Sequence, residues 1–600
     1  WNRQDRMRSA RLMAHDKDNP YGVRFRGSDR PMAFVNPYRR IGELNNVERW
    51  KLARHPMEAA RDVIERYSKE GPDGIGAIEG EAERLKWVGI YPQRQGGDAF
   101  MLRIKVPAGR LSADQVQEIG LVAEAFANGP QDSEVFGNRY ADITTRQDIQ
   151  LHWIRIEDVP RIWERLFDVG VTTLQACGDS SRNVTCCAVS GIDANEVFDA
   201  YPVARQISDF FTGNREYSNL PRKFKIGLTG CRDDCARVEI NDIALWPAED
   251  VDGSVGFNVL AGGGLSDGER MASDIDIFVP PEDALEVCRA IAQVFGELGN
   301  RENRGLCRMR YLVQELGPEG FREAVCERTK LVLRPAGAEL TTSFRGDHVG
   351  VHPQKQEGLF YVGGSVPVGR MRGIELIELA RLSRTYGDAT VRLSADQNFI
   401  LSGVRKDRLD DLLAEDLITK YSPYPGPFER GVVACTGSEF CRFAIVETKE
   451  RAVKLARRLD ASLEAMGSSP PVPVELCRAN DRQRSDRGVV RLHFSGCPAG
   501  CAQPQIADIG LRGEIAHVDE HIEEAVDIGL GGSLGPDAAF IDWIAGAVPV
   551  DRLEAAIEGL LVRFARDRRG DEPFYGWARR VDNSELLQII STSALAEAPS

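Results

Sequence analysis

Val106-Pro107-Ala108-Gly109-Arg110 returns as Val366-Pro367-Val368-Gly369-Arg370, 366 − 106 = 260 residues further on. Both copies continue alike. After the first, a helical stretch over Ser112 to Asn128 leads to a strand expected over Asp142 to Leu151, containing Thr144-Thr145-Arg146-Gln147. After the second, a helix near Ile374 to Tyr386 leads to a strand expected over Val391 to Leu401. Amphipathic helices over Val159 to Val169 and Lys406 to Leu413 close the two units. Strands with alternating residues interleaved with helices predict an α+β unit, present twice.

The repeat runs on. Thr229-Gly230-Cys231-Arg232-Asp233-Asp234-Cys235 matches Ser495-Gly496-Cys497-Pro498-Ala499-Gly500-Cys501, 497 − 231 = 266 residues later. Ile240-Asn241-Asp242-Ile243 and Ile506-Ala507-Asp508-Ile509 come next in turn. Gly262-Gly263-Gly264 and Gly529-Leu530-Gly531-Gly532 come last. Similarity at ordered sites predicts a tandem duplication folded about a pseudo-twofold axis, with a site where the halves meet. The period is too long for a solenoid.

Composition bounds the rest. The chain has 600 residues, 42% hydrophobic and 28% charged, which suits a soluble protein of about two to four domains. Its net charge of −15 argues against a nucleic-acid partner, which needs a basic footprint. No apolar run is long enough for a bilayer and no signal-peptide pattern opens the chain at Trp1, so no membrane is expected and the compartment expected is the cytoplasm. Arginines crowd residues 1 to 85 (Arg3, Arg6, Arg8, Arg11, Arg24, Arg26, Arg30, Arg39, Arg40), where a solvated arm wrapping the body is expected, with a docking surface for an acidic partner as the alternative.

The 13 cysteines do not look like a secreted disulfide framework. Cys435 and Cys441 form C-x5-C, and Cys497 and Cys501 form C-x3-C. Four thiolates from two tight loops suit a cubane iron–sulfur cluster, whereas structural zinc favours C-x2-C pairs. Gly437, Gly496, Pro498 and Gly500 punctuate the loops as a backbone wrapping a cluster requires. Cys177, Cys186, Cys187, Cys231 and Cys235 in the first copy make a second cluster conceivable. The C-x8-C spacing from Cys177 to Cys186 instead suggests a degenerate copy. Cys288, Cys307, Cys326 and Cys477 are expected in the core.

Thr144-Thr145-Arg146-Gln147, Leu220-Pro221-Arg222-Lys223-Phe224-Lys225, the glycine run at 262–264 and the C-x5-C…C-x3-C set together resemble the ferredoxin-dependent nitrite and sulfite reductases. The likeness covers about residues 85 to 580. It implies sirohaem coupled to one 4Fe–4S cluster, ferredoxin as electron donor, and six-electron reduction of nitrite to ammonium or of sulfite to sulfide. It implies an α+β fold, with ferredoxin-like half-domains at 86–165 and 346–420. A first sirohaem-binding domain would span 166–345, and a second, carrying the cluster, 421–600. Residues 1–85 would be an extension. Carried over by position, the cluster ligands are Cys435, Cys441, Cys497 and Cys501, with Cys501 shared with the sirohaem iron. Arg103, Arg182, Lys223 and Lys225 match the basic residues where the anion binds. Thr144, Arg146, Gln150 and Arg222 match positions holding sirohaem carboxylates. His152 matches a position near the cofactor, with a packed core histidine as the alternative.

The chemistry is coherent without the family. A polycarboxylate macrocycle and a small anion need paired cations if they are to be buried. Arginine offers a planar fork for carboxylates, and lysine a point charge with protons to give. Lys223 and Lys225 are expected on a strand, where a bulge or a twisted end would be needed for both to reach one anion. Gly262 to Gly264 lacks the G-x-G-x-x-G strand-to-helix setting of a nucleotide site, so electrons must come from a separate carrier. The net charge would repel an acidic carrier at long range, which requires a local basic patch.

The choice of anion divides. His352-Pro353-Gln354-Lys355-Gln356-Glu357-Gly358 and Cys307-Arg308-Met309-Arg310-Tyr311-Leu312 look like the nitrite branch. Lys225 looks like the sulfite branch, since plant nitrite reductases carry asparagine there. Ala499 departs from the asparagine common in the family, which removes a hydrogen bond beside the cluster. Tyr91 and Cys177 match a tyrosine and a cysteine that lie near the haem in some sulfite-reducing relatives, and are expected to meet. The reading favours nitrite, with sulfite as the alternative. Two other classes compete: a non-catalytic sirohaem electron-transfer subunit, and a redox enzyme of tetrapyrrole synthesis with a larger cavity.

Overall fold

The repeated Val-Pro-x-Gly-Arg segments are the places where the halves cross over. In the computed structural model, which describes residues 44–266, 268–341, 346–465, 489–518, 521–535 and 537–596, each segment is a tight left-handed turn. Ala108 and Gly109 have φ of 52° and 67°, and Val368 and Gly369 have 53° and 73°. A Cβ on Gly109 would stand 2.5 Å from the Leu393 carbonyl oxygen, and one on Gly369 2.4 Å from that of Ile143. Glycine is thus required because each turn presses on the backbone of the opposite half.

The turns hand one strand across in each direction. The strand Arg370–Arg372 pairs antiparallel with Tyr140–Ile143, Arg370 opposite Asp142. The strand Arg110–Ser112 pairs with Thr390–Leu393, Arg392 opposite Arg110. Two five-stranded sheets result, each closed at its edge by the other copy. Helices Ala113–Phe126 and Gly373–Tyr386 pack together beside them. Ser112 starts the first helix with a capping box to Gln115, and at the start of the second Glu375 accepts from the Arg372 backbone amide at 2.8 Å and from its guanidinium at 3.1 Å.

Where one long strand was expected in each copy, the structure has a hairpin. Tyr140–Ile143 turns at 144–148 into Ile149–Ile154, and Thr390–Leu393 turns at 394–398 into Phe399–Arg405. Gln147 and Gln397 occupy the positive-φ position of each turn. A polar pentad between two apolar runs is a turn signal, and the alternation reads straight through it.

Two larger α/β units carry the cysteines, and they share one strand plan. Thr185–Cys186, Ile226–Leu228 and Ile243–Glu249 run parallel, followed by antiparallel Val255–Ala261 and Ser273–Val279. Val432–Ala434, Leu492–Ser495 and Ile509–Val518 run parallel, followed by antiparallel His521–Leu530 and Asp542–Pro549. The glycine runs come after the strands Val255–Ala261 and His521–Leu530 rather than opening helices.

The expected solvated arm differs from residue 44 onward. Met57, Val63, Tyr67, Leu85 and Trp87 are fully buried, and they share a core with both half-domain sheets. Their helices belong to the body because their apolar residues have a core to fill. The arginines from Arg3 to Arg40 lie outside the described residues, as does Cys477. Cys288 and Cys307 are buried as expected, but Cys326, the last residue of the helix Met309–Cys326, is exposed while its neighbours Ala324 and Val325 face the core. Among the described residues, no helix is long and apolar enough to cross a membrane.

One ion network ties the crossover to the cysteine loops. Arg370 donates to both carboxylate oxygens of Asp142, at 2.7 and 3.0 Å, and at 2.7 Å to Glu439. Its guanidinium lies 4.0 Å from the Tyr140 ring centre, and the Tyr140 hydroxyl donates to Glu439 at 2.6 Å. Lys449 and His152 reach the same Asp142 carboxylate, at 3.7 and 3.3 Å. Removing one partner from a buried pair strands the other charge. Arg370→Met is therefore expected to lower unfolding free energy by about 3–5 kcal/mol in urea titrations, whereas Arg405→Met, at an exposed residue paired with Asp407, should leave the urea midpoint essentially unchanged.

Candidate functional site

Cys435 comes directly after the strand Val432–Ala434, and Cys441 ends the short helix Gly437–Phe440. Cys497 and Cys501 lie in the turn after Leu492–Ser495. These strands are parallel neighbours, so both loops leave the same end of the sheet. Backbone amides turn inward on the sulfurs. Gly496 and Gly437 donate to Cys435 Sγ at 3.2 and 3.4 Å, Phe443 and Ala444 donate to Cys441, and Ala499 donates to Cys497. Ala499 thus contributes through its backbone, while its side chain is exposed. The thiols repel one another's charged forms. Burial and then Cys501 push Cys435 up to about 12, and burial and neighbouring cysteines push Cys497 up to about 11.

The hairpin turn of the first half meets this loop. Thr144 Oγ1 accepts from the amides of Arg146 and Asp148 at 3.2 and 3.1 Å, shaping the turn, and Thr145 Oγ1 donates to the Cys501 carbonyl at 3.2 Å. Arg146 donates to Asn241 at 2.8 Å and to the Asn183 carbonyl at 2.5 Å, and its buried Nε has no protein partner among the described residues. Gln150 lies opposite Arg103 in the sheet and accepts from Thr436 at 3.5 Å. Arg103 Nη1 contacts Cys177 Sγ at 3.1 Å, and its Nε is likewise buried and unpartnered among the described residues. Arg182 donates to the Gly178 carbonyl at 2.9 Å, and Arg222 to Asp179 at 3.3 Å.

Lys223 and Lys225 need no bulge. Residues two apart on extended chain share a face. Phe224 between them is fully buried and bridges to Ser181, which leaves the two ammonium groups on the other side. They feel each other and the arginines around them. Burial lowers Lys223 to about 7, with Arg308, Arg222 and Arg182 acting in the same direction. Lys225 is held well below its ordinary value by burial, Arg146, Lys223 and Arg308. Cys501 sits close enough to Lys223 and Arg103 to favour their charged forms. Asp148, Asp179 and Asp242 are the carboxylates in reach. Asp148 is itself pushed up to about 6 by burial, while Arg304, Lys51 and Arg222 hold Asp179 ionised against its burial.

Arg308 belongs to this cluster, although nothing in its spacing marked it. Its guanidinium reaches Asp242 at 3.1 Å, and its buried Nε has no protein partner among the described residues. Gly264 makes room for it: a Cβ there would lie 3.1 Å from Arg308 Nη2 and 3.2 Å from Arg310 Nη1. Tyr91 and Cys177 do meet, the hydroxyl hydrogen-bonding the thiol, and burial then raises the phenol. His152 is a packed histidine, stacked on Phe440 at 3.9 Å between Gln93 and Asp142. The first-copy cysteines disperse: Cys177 joins Arg103, Cys186 lies near Asp199, and Cys187, Cys231 and Cys235 gather elsewhere.

This donor set fits a cluster beside a polyanionic macrocycle. Cys435, Cys441, Cys497 and Cys501 stand on two loops that leave the same end of the sheet, with backbone amides turned onto their sulfurs, a soft donor set suited to a cage of several irons. The buried guanidinium Nε atoms without a partner among the described residues, and lysines depressed by burial and like charge, leave donors and positive charge that a polycarboxylate and a small anion would satisfy.

Comparison with known proteins agrees with this chemistry. A family described as nitrite and sulphite reductase 4Fe-4S domain matches residues 177–333, and the nitrite/sulfite reductase ferredoxin-like half domain matches 91–168 and 352–415. The chain is 40% identical over 550 residues to an assimilatory ferredoxin-dependent nitrite reductase of Haloferax mediterranei, covering 88% of this chain and 90% of that one. It is 40% identical over 535 residues to a ferredoxin–nitrite reductase of Synechococcus elongatus, covering 88% and 98%. Its structure is similar to that of the Mycobacterium tuberculosis NirA protein, with TM-score 0.82 and 31% identity over 90% of this chain and 97% of that one.

A lysine near 7 has a readable signature. Anion binding raises its pKa, so at about pH 8, where the bare amine is mostly neutral, binding must take up a proton. At about pH 6 it is already charged and takes up little. Calorimetric titration of sulfate into the cofactor-free protein, in buffers of differing ionisation enthalpy, should show net proton uptake at the higher pH only. Lys223→Met should abolish it.

Proposed function

The chain belongs to the nitrite and sulphite reductase family, and from that footing we propose that it reduces nitrite to ammonium with electrons from ferredoxin. The observation that carries this reading is that Lys223 and Arg103, within a buried basic cluster, sit close to Cys501 in a fold whose curated relatives are named for that reaction. Cys435, Cys441, Cys497 and Cys501 would hold the 4Fe–4S cluster. Thr144, Arg146, Gln150 and Arg222 would hold the sirohaem, with Cys501 as the ligand common to both centres. When bound, this pair supplies an iron for the anion and single electrons to reduce it.

The chain's residues would do the remaining work. Arg103, Arg182, Lys223 and Lys225 form the catalytic set. The guanidiniums fix the anion and offset its charge, worth most where water is excluded. The lysines, depressed by burial and then by their neighbours, are poised to give up protons as each oxygen leaves as water, Lys223 at about 7. Arg308 and Asp242 position them: the Asp242 carboxylate accepts the Lys225 amide at 2.9 Å and Arg308 at 3.1 Å. Thr144 acts through the turn it shapes, so it positions Arg146 rather than reaching a ligand through its own hydroxyl lone pairs alone.

The domain plan proposed is a pair of half-domains at 86–165 and 346–420 that clamp two cysteine-bearing units at 166–345 and 421–600. Nitrite is favoured over sulfite by the names of the relatives, Lys225 notwithstanding. Purified protein with reduced ferredoxin should form ammonium from nitrite with kcat/KM at least about tenfold above that for sulfite. Lys223→Met should lower kcat/KM for nitrite by about 10²–10³-fold, the usual loss of one preorganised donor, with the cofactor absorption spectrum unchanged. Full activity in that variant, or equal efficiency on both anions, contradicts the reading.

A further inference from the structure

The first copy keeps a different set of soft ligands at the place where the second keeps its cluster cysteines. The equivalence is set by strand register. Cys186 pairs with Leu228 and Ala434 with Phe494, each on the first two parallel strands of its unit. Gln147 holds the Cys186 backbone by accepting its amide at 3.1 Å and donating to its carbonyl at 2.9 Å, and Gln397 does the same for Ala434 at 3.1 and 3.1 Å. One residue further, Cys187 therefore corresponds to Cys435. Three residues past Leu228 and Phe494, Cys231 corresponds to Cys497, and Cys235 to Cys501. No cysteine stands in for Cys441.

A histidine fills the gap. His348 comes from the far side of the molecule, just before the strand Gly350–Pro353, and its Nε2 lies 3.8 Å from Cys187 Sγ. The ligand atoms of Cys187, Cys235 and His348 all lie within 4.8 Å of one another, and the three residues are buried. Cys231 hydrogen-bonds Cys187, and its Sγ lies 3.6 Å from Asp193. His348 adopts a left-handed backbone, φ 61°, to reach this position. Its Nδ1 lies 3.2 Å from the Tyr361 hydroxyl, a partner that orients the ring and leaves Nε2 for the sulfurs. Val189, Ile192 and Ile400 surround the group.

The spacing of Cys187, Cys235 and His348 is that of a single ion, with Cys231 in contact with Cys187 as the nearest further thiol. Ligands at about 2.3 Å for sulfur and 2.0–2.1 Å for nitrogen in a tetrahedron stand roughly 3.6 Å apart, close to the 3.8 Å separation of Cys187 and His348. We propose that Cys187, Cys231, Cys235 and His348 bind one zinc(II) ion, a structural centre at the pseudo-symmetric counterpart of the cluster. Binding replaces the three thiol protons, which leave to solvent, with Zn–S bonds, and involves no electron transfer. The ion would staple the first cysteine-bearing unit to the sheet that carries Tyr361, on the side away from the proposed reaction.

The test uses the intact, untagged holoenzyme. Elemental analysis should find one zinc per chain in addition to iron, and zinc-edge X-ray absorption should show three sulfurs at about 2.3 Å and one nitrogen at about 2.0 Å. His348→Gln and Cys187→Ser should each lose the zinc and lower the thermal midpoint while iron content and the haem absorption band persist. Fully iron-loaded protein without zinc would overturn the proposal. So would iron scattering from these residues, or a disulfide among Cys187, Cys231 and Cys235 in peptide maps. The zinc readout is independent of which anion the enzyme reduces.

Discussion

Like charges gathered around one thiol are the constraint that the rest of the structure serves. Arg103, Arg146, Arg182, Lys223, Lys225 and Arg308 act on one another as like charges in one buried cluster, and Arg103 and Lys223 of that cluster lie close to Cys501. Such an arrangement is unfavourable until an anionic ligand enters, so the scaffold must hold it by force. It does so by drawing the cations from separate elements of the first half and setting them against a loop of the second. The Thr145–Cys501 contact and the Arg370–Asp142–Glu439 network fix the relative position of the two halves.

The duplication makes this possible and shows how it diverged. Both copies carry the same strand plan, the same glutamine clamp at the hairpin turn and the same crossover glycine. Each half adds one strand to the edge of the other's sheet, so the two copies are joined through backbone hydrogen bonds as well as side chains. One end of that junction gathers four cysteines on two neighbouring loops. The other pulls its sulfurs and an imidazole into a knot. A shared backbone has thus been given two coordination chemistries by the choice of the fourth donor and of where it enters.

The repeat, the α+β plan and the cluster cysteines were legible in the sequence because each rests on local chemistry. Glycine at a left-handed turn, cysteines a few residues apart and arginine before a polar turn are all short-range signals. The two hairpins were read as single strands because alternation continues across a pentad whose turn character lies in Gln147 and Gln397, residues with no strong turn preference. The same-side placement of Lys223 and Lys225 is dictated by Phe224, whose burial fixes the phase of the segment. Arg308 and His348 escaped because their partners stand far away in the chain. Arg308 meets Asp242 and His348 meets Cys187 only through tertiary packing, and no spacing rule connects them. The helices from residue 46 were hidden by the arginine-rich stretch before them, which coloured the whole segment as solvated.

The most direct measurement is an anomalous difference map at the iron edge from crystals of the holoenzyme. The account requires iron density joined to the sulfurs of Cys435, Cys441, Cys497 and Cys501. It also requires a separate iron adjoining Cys501 on the side occupied by Arg103, Arg146, Lys223 and Lys225. Iron placed away from Cys501, or a Cys501 sulfur bound to neither centre with the cations paired to protein carboxylates alone, would contradict it.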